Sequence, residues 1–203
     1  MLMSKETRMI ADSTSLEGQL LVAMPRMGDS RFEETVIFIC AHSNEGAMGF
    51  IVNRTMNEPE TADFLQKLGI ISPRDAMTLP SELANTSLHM GGPVEPGRGF
   101  VLHSSDYQAE TTLQVADDIC LTATLEILRS LAVGKGPRRY IIALGYSGWS
   151  SGQLEDEIAA NGWLVAPTDE SIIYDSDNGS KYLRVMAAMG INPLLISADT
   201  GHA

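Results

Sequence analysis

Unbroken apolar runs, not a helical period, dominate the first part of the chain. Residues 19–24 (QLLVAM) and 35–40 (TVIFIC), bounded by Pro25, Gly28 and Gly46, have the length and punctuation of buried strands. A third run, residues 47–52 (AMGFIV), follows the turn-rich link 42–46, a length that joins antiparallel neighbours, so the pattern predicts an antiparallel meander. Residues 61–68 place Phe64, Leu65 and Leu68 on one helical face before Gly69 and predict a short helix. Residues 86–90 and 99–103 flank a Gly- and Pro-rich stretch, 91–98, and read as a second strand pair around a fixed loop.

Further along, residues 121–133 put Leu121, Leu125, Leu128 and Ala132 on one face and stop at Gly134, predicting a helix. Residues 139–144 form another buried strand. Residues 153–160 form a helix whose acidic first turn suits its dipole. Residues 163–166 return as a strand, residues 181–189 form a last helix, and the chain from Ile191 is expected to be extended. Strands come first and helices alternate only late, without repeated strand-helix-strand units, which favours an α+β fold over a doubly wound sheet. With 203 residues and neither repeats nor a linker, the chain reads as one domain over 16–203. Residues 1–15 are polar, carry Lys5, Glu6, Arg8 and Asp12 without an apolar stretch, and read as an N-terminal tail, not a signal peptide.

Charge changes the picture of partners. Asp and Glu number 26 against 14 Lys and Arg, a net charge of −12, so the field of the whole molecule repels phosphate backbones and anionic lipid. This argues against direct nucleic-acid binding and against membrane association. The basic group Lys135, Arg138 and Arg139 reads as a solvated loop, with a local anion patch as the alternative. Cys40 and Cys120 are far apart and fit a reducing compartment without a disulfide, which makes the cytoplasm the simplest address.

Candidate chemistry is sparse. Residues 148–152 (GWSSG) spell G-x-S-x-G between a predicted strand and a predicted helix, where a nucleophile elbow would sit. Such an enzyme needs a His after the Ser in chain order, and His202, next to the last residue, is the sole candidate. The competing account has Ser150 or Ser151 capping the helix. Glu155, Asp156 and Glu157 disfavour a phosphate at the same helix start, and neither nucleotide-loop motif occurs. Cys40 with His42, and His89 with His103, are pairs without the further ligands a metal needs, so neither metal nor cofactor is expected. Asp117 and Asp118 read as the cap of the 121–133 helix. Trp149 and Trp163 bracket the 153–160 helix as a pocket wall, a docking patch or buried bulk.

Several segments taken in order resemble the AlgH/YqgE family of bacterial proteins: residues 16–25 (LEGQLLVAMP), 49–54 (GFIVNR), 91–94 (GGPV), 102–103 (LH), 145–149 (GYSGW) and 152–155 (GQLE). The resemblance implies a mostly antiparallel bent sheet that forms a pseudo-barrel flanked by helices. It brings no established enzyme activity. The family pattern leaves the positions of Ser150 and Ser151 open, and one member's name implies a transcriptional regulator. The expectation is therefore a non-enzymatic cytoplasmic binding or regulatory protein that acts on transcription, if at all, through a protein partner. The alternative is a small hydrolase using Ser150 or Ser147 with an upstream His. The surface expected to bind joins Asn53, Arg54, Gly91, Gly92, Pro93, His103, Tyr146, Trp149 and Gln153, polar or aromatic positions at predicted strand ends.

Overall fold

A computed structural model describes residues 15–25 and 27–198, so all of the expected N-terminal tail except Ser15 lies outside the described residues. The chain runs β1 (Leu20–Ala23), β2 (Val36–Ser43), β3 (Gly46–Ile51), α1 (Thr61–Lys67), α2 (Ser81–Ala84), β4 (His89–Met90), β5 (Val94–His103), β6 (Leu113–Ala116) and β7 (Ile119–Thr122). It continues through α3 (Leu125–Ala132), β8 (Tyr140–Ser150), α4 (Gln153–Ala159), β9 (Trp163–Ala166), α5 (Glu170–Ile173), α6 (Asn178–Ala188) and α7 (Pro193–Ala198). The strands join in the order β6-β7-β5-β8-β3-β2-β1-β9, with β4 added to β8. Every pairing is antiparallel except β4 with β8. The sheet curls strongly into a half-barrel, so the fold is α+β, as expected.

Period-two alternation builds the core on both faces of this sheet. Leu20, Val22, Val36, Phe38, Phe50, Phe100, Leu102 and Ile141 turn inward, where Tyr182, Val185 and Met186 of α6 cover them. On the outer face, Val101, Ile142 and Leu144 pack under α1, α2 and α3 through Phe64, Leu83 and Ile127. Leu21, Ile37, Ile39 and Ile51 pack outward against Trp149, Leu154 and Trp163. Each fully buried Leu, Ile or Phe in these layers contributes about 2 kcal/mol.

Strand β8 holds the halves together by changing both face and partner. Ala143 and Leu144 pair with β5 on one edge and with β4 on the other, whereas residues from Ser147 to Ser150 pair with β3. Leu144 points outward, yet Tyr146, two residues on, packs on the inner cluster. Gly145, with φ +69°, supplies this reversal, because that backbone region is costly for a residue with a Cβ. At the same point the chain passes from β4 to β5, from one edge of β8 to the other, through Gly91, Gly92 and Pro93. A Cβ on Gly91 would lie 2.2 Å from the Gly145 carbonyl oxygen, so the two backbones cross in contact.

This crossing corrects one expectation. Residues 86–90 and 99–103 do not form a strand pair, because β8 lies between them. Residues 119–122 are a strand in place of the expected first helical turn: Leu121 pairs with Leu102 and Leu113, and the helix starts at Leu125. Asp117 and Asp118 therefore sit in the β6–β7 turn and cap no helix. Asp118 accepts from the Ser105 N–H at 3.0 Å and pairs with Arg139. The final stretch is not extended throughout, since α7 follows Ile191. Among the described residues, no helix is long and apolar enough to cross a membrane.

Candidate functional site

The second half of β8 ends at a corner tied together by Glu157 of α4. Its Oε2 accepts the indole N–H of Trp149 at 2.9 Å and that of Trp163 at 2.8 Å, while Oε1 accepts from Gln153 Nε2 at 2.9 Å. The two indole rings meet edge to face at 5.9 Å. Gln153 Oε1 in turn accepts the Ser150 N–H at 3.0 Å, fixing the passage from strand to helix. Phe32 packs edge to face on Trp163 at 5.6 Å and brings the 27–35 loop against this corner.

Asn53 and Arg54, just after β3, hold that loop by its backbone. Asn53 accepts the Val36 N–H at 2.8 Å and donates to the Glu34 carbonyl at 2.9 Å. Arg54 donates to the Arg31 carbonyl at 2.6 Å and to that of Glu33. Both side chains are thereby committed to shaping the wall that Met27 and Phe32 present.

Two clefts flank β8 here. One, of about 590 Å³, includes Ala41, Met48, Tyr146, Glu17 and Glu45 in its lining. The other, of about 420 Å³, includes Met27, Phe32, Pro93, Gln153 and Glu157. Val94, Gly148 and Trp149 belong to both and form the divide between them. Met48 and Tyr146 pack on the inner cluster and Met27 and Phe32 on the outer one, so the clefts open on opposite faces of the same strand end.

The AlgH-like family model matches residues 20–194. The chain belongs to the AlgH-like family. A UPF0301 protein of Rhizobium etli is 50% identical over 92% of each chain. Another, from a Methylobacterium species, is 52% identical over 93% of this chain and 90% of its own. The solution structure of the AlgH protein from Pseudomonas aeruginosa superposes with a TM-score of 0.76 at 34% identity, covering both chains completely.

In this AlgH-like chain the G-x-S-x-G stretch is not a nucleophile elbow. Gly148 to Ser150 are still strand, and the turn falls at Ser151 and Gly152. Neither serine caps α4 through its side chain: Gly152 is the N-cap residue, with φ +73°, and the Ser151 hydroxyl donates to the Asn44 carbonyl at 2.6 Å. His42 shares the larger cleft with Ser150, but both of its ring nitrogens are engaged. Nδ1 accepts the Leu16 N–H at 2.9 Å, which puts the proton on Nε2, and Nε2 lies 2.8 Å from Glu155 Oε1. A ring with no free lone pair cannot take a proton from a serine. The Glu155 carboxyl is held below its usual range by its own backbone N–H and then by His42.

Of the expected binding residues, Pro93, Tyr146, Trp149 and Gln153 line the clefts. Gly91 and Gly92 form the crossing beside them, and Asn53 and Arg54 act on the loop wall. His103 lies apart from this set and is fully buried. Its Nδ1 donates to the Ser104 carbonyl at 2.9 Å, leaving Nε2 to accept from the Thr122 hydroxyl at 2.8 Å. Burial pushes its pKa down. His103 is therefore a bonded core residue and is not paired with His89, which meets Asn178 instead. No group of three or more His, Cys, Asp or Glu among the described residues could hold a metal. Val94, Met48 and Phe32 were not among the expected binding residues, and Glu157 was read only as part of an acidic helix start. The spacing of Tyr146 and Gly148, read as continued strand, would have pointed to two of these walls.

Proposed function

We propose that this protein is a non-enzymatic binding protein that engages a protein partner at the paired clefts around Val94, Gly148 and Trp149. The observation that carries this reading is that one strand end offers a cleft on each face, a mainly apolar one on the inner face and a more polar one on the outer, with rigid aromatic walls and no activated nucleophile between them. Aromatic side chains held by bonds of their own lose little freedom on binding, which suits partner recognition. The −12 charge of the chain supports a protein partner over nucleic acid, so a regulatory effect on transcription would pass through that partner in the cytoplasm.

The test is affinity capture from a native bacterial lysate with the wild type and with Val94→Lys, followed by calorimetry on the purified partner. A partner bound by the wild type and at least about tenfold more weakly by the variant is the expected result. A partner held equally well by both, or turnover of a metabolite that depends on Ser150, would overturn the proposal.

A further inference from the structure

Strand β5 meets β8 at Val94 and Tyr146, and the chain on the N-terminal side of Val94 leaves this edge through the Gly91–Gly92–Pro93 crossing. Had β5 run straight, its preceding residues would have covered Gly148 to Ser150. Among the described strands, these β8 residues have a partner on one side only, namely β3. Gly148 and Ser150 are exposed, as is Val94 at 36%. Gln153 closes the far end of the edge by taking the Ser150 N–H.

An open edge with a cleft on each face has the geometry that receives an extended peptide. Backbone pairing supplies the register, and alternate side chains enter opposite clefts, apolar ones the inner cleft walled by Ala41, Met48 and Tyr146 and polar ones the outer cleft with its more polar lining. The charges select among peptides. Glu17 and Glu45 line the inner cleft; Asp29 and Glu157 line the outer one, against Arg31, which Asp29 already pairs at 2.6 Å. From these observations, and resting on the binding reading above, we infer that the partner presents an extended segment in which apolar residues alternate with small polar ones, flanked by Lys or Arg. This segment adds as a strand to β8 beside Gly148, in the place β5 vacates.

The probe is a set of synthetic peptides about ten residues long, with Val or Leu alternating with Ser between flanking lysines. Its counterparts carry glutamate flanks or a central proline. Amide hydrogen exchange on the full chain gives the readout. The lysine-flanked peptide is expected to bind and to slow exchange at Gly148, whose N–H shares the open edge with that of Ser150. Its affinity should fall by about tenfold or more with glutamate flanks, with the central proline, or with Val94→Lys. Leu113→Lys, on the exposed edge strand β6, should leave binding unchanged. Equal binding of the proline-interrupted peptide, no binding of any peptide, or protection confined to another surface would overturn the inference. A lysate partner that needs Val94 but leaves the exchange of Gly148 to Ser150 unchanged would sink strand addition and keep the cleft reading. A partner indifferent to Val94→Lys would sink both.

Discussion

The two halves of β8 lie in opposite surroundings. From Tyr140 to Leu144 the strand pairs throughout with β5, the last two of these residues also pair with β4 on the other edge, and its outward side chains pack under helices. From Gly148 to Ser150 it has one neighbour among the described strands, and each face looks into a cleft. The difference arises within the four residues from Met90 to Pro93, where the chain crosses from one edge to the other. A branched sheet made this way leaves one edge bare as a direct result of its connectivity. The polar residues of the two halves differ accordingly: His103 has both ring nitrogens committed in the core, whereas the corner around Glu157 holds its aromatic walls firm and leaves the adjoining strand edge open.

Gly145→Ala should break the comparison at its pivot. The new methyl would sit 2.6 Å from the Gly92 carbonyl oxygen on a residue with φ +69°, and a loss of about 4 kcal/mol in urea unfolding is expected. Next in size is the acid sensitivity of the closed half. His89 on β4 has its pKa lowered to about 4, chiefly by burial and also by the Lys181 charge, against the bond its Nε2 donates to the Asn178 side-chain oxygen. As pH falls from 6.5 toward 4, the unfolded chain takes up a proton that the folded one refuses, so stability is lost. The loss should reach about 3 kcal/mol, and His89→Gln should abolish most of it in unfolding curves taken across that range.

Lys181 of α6 ties α5 to the chain just after β3, donating to the Val52 carbonyl at 2.8 Å and the Ile173 carbonyl at 2.7 Å while fully buried. Lys181→Met leaves both carbonyls without this donor and should cost about 2 kcal/mol at neutral pH. Burial lowers the lysine pKa from 10.5 to about 8. Between those values the unfolded chain holds the extra proton, so wild-type stability should gain with rising pH relative to the variant, whose curve lacks this contribution. Val94→Lys should have the smallest effect on stability, within about 0.5 kcal/mol by thermal unfolding, because the side chain is already partly exposed on the open half. A large loss of stability there would show that the open half is not open.

Local patterns were legible where local forces decide. The helix expected over 61–68 is observed as Thr61–Lys67, and the strand over 163–166 as Trp163–Ala166. The elements misread are those settled by distant partners. Leu121 fits a helical stripe with Leu125 and Leu128, but pairing with Leu102 and Leu113 holds it in a strand. The glycines of residues 145–148 look like a loop, yet they carry β8 through its reversal and on to pair with β3. Tyr146, Trp149 and Gln153 were accessible as site residues because they follow in one stretch. Val94 and Phe32 join them only through the crossing and through the loop pinned by Asn53 and Arg54, which no local period encodes. His103 resembled a site residue for its chemistry alone, and its partners Ser104 and Thr122 turn it into core.

The shared carboxylate of Glu157 has an optical consequence. Trp149 and Trp163 are the only tryptophans in the chain, and both indole N–H groups end on the same oxygen. The indole emission of the whole molecule therefore originates at one corner beside the bare strand edge, while the His103 end contributes no indole signal. Unmodified protein thus carries its own lamp at the place where a partner is proposed to land.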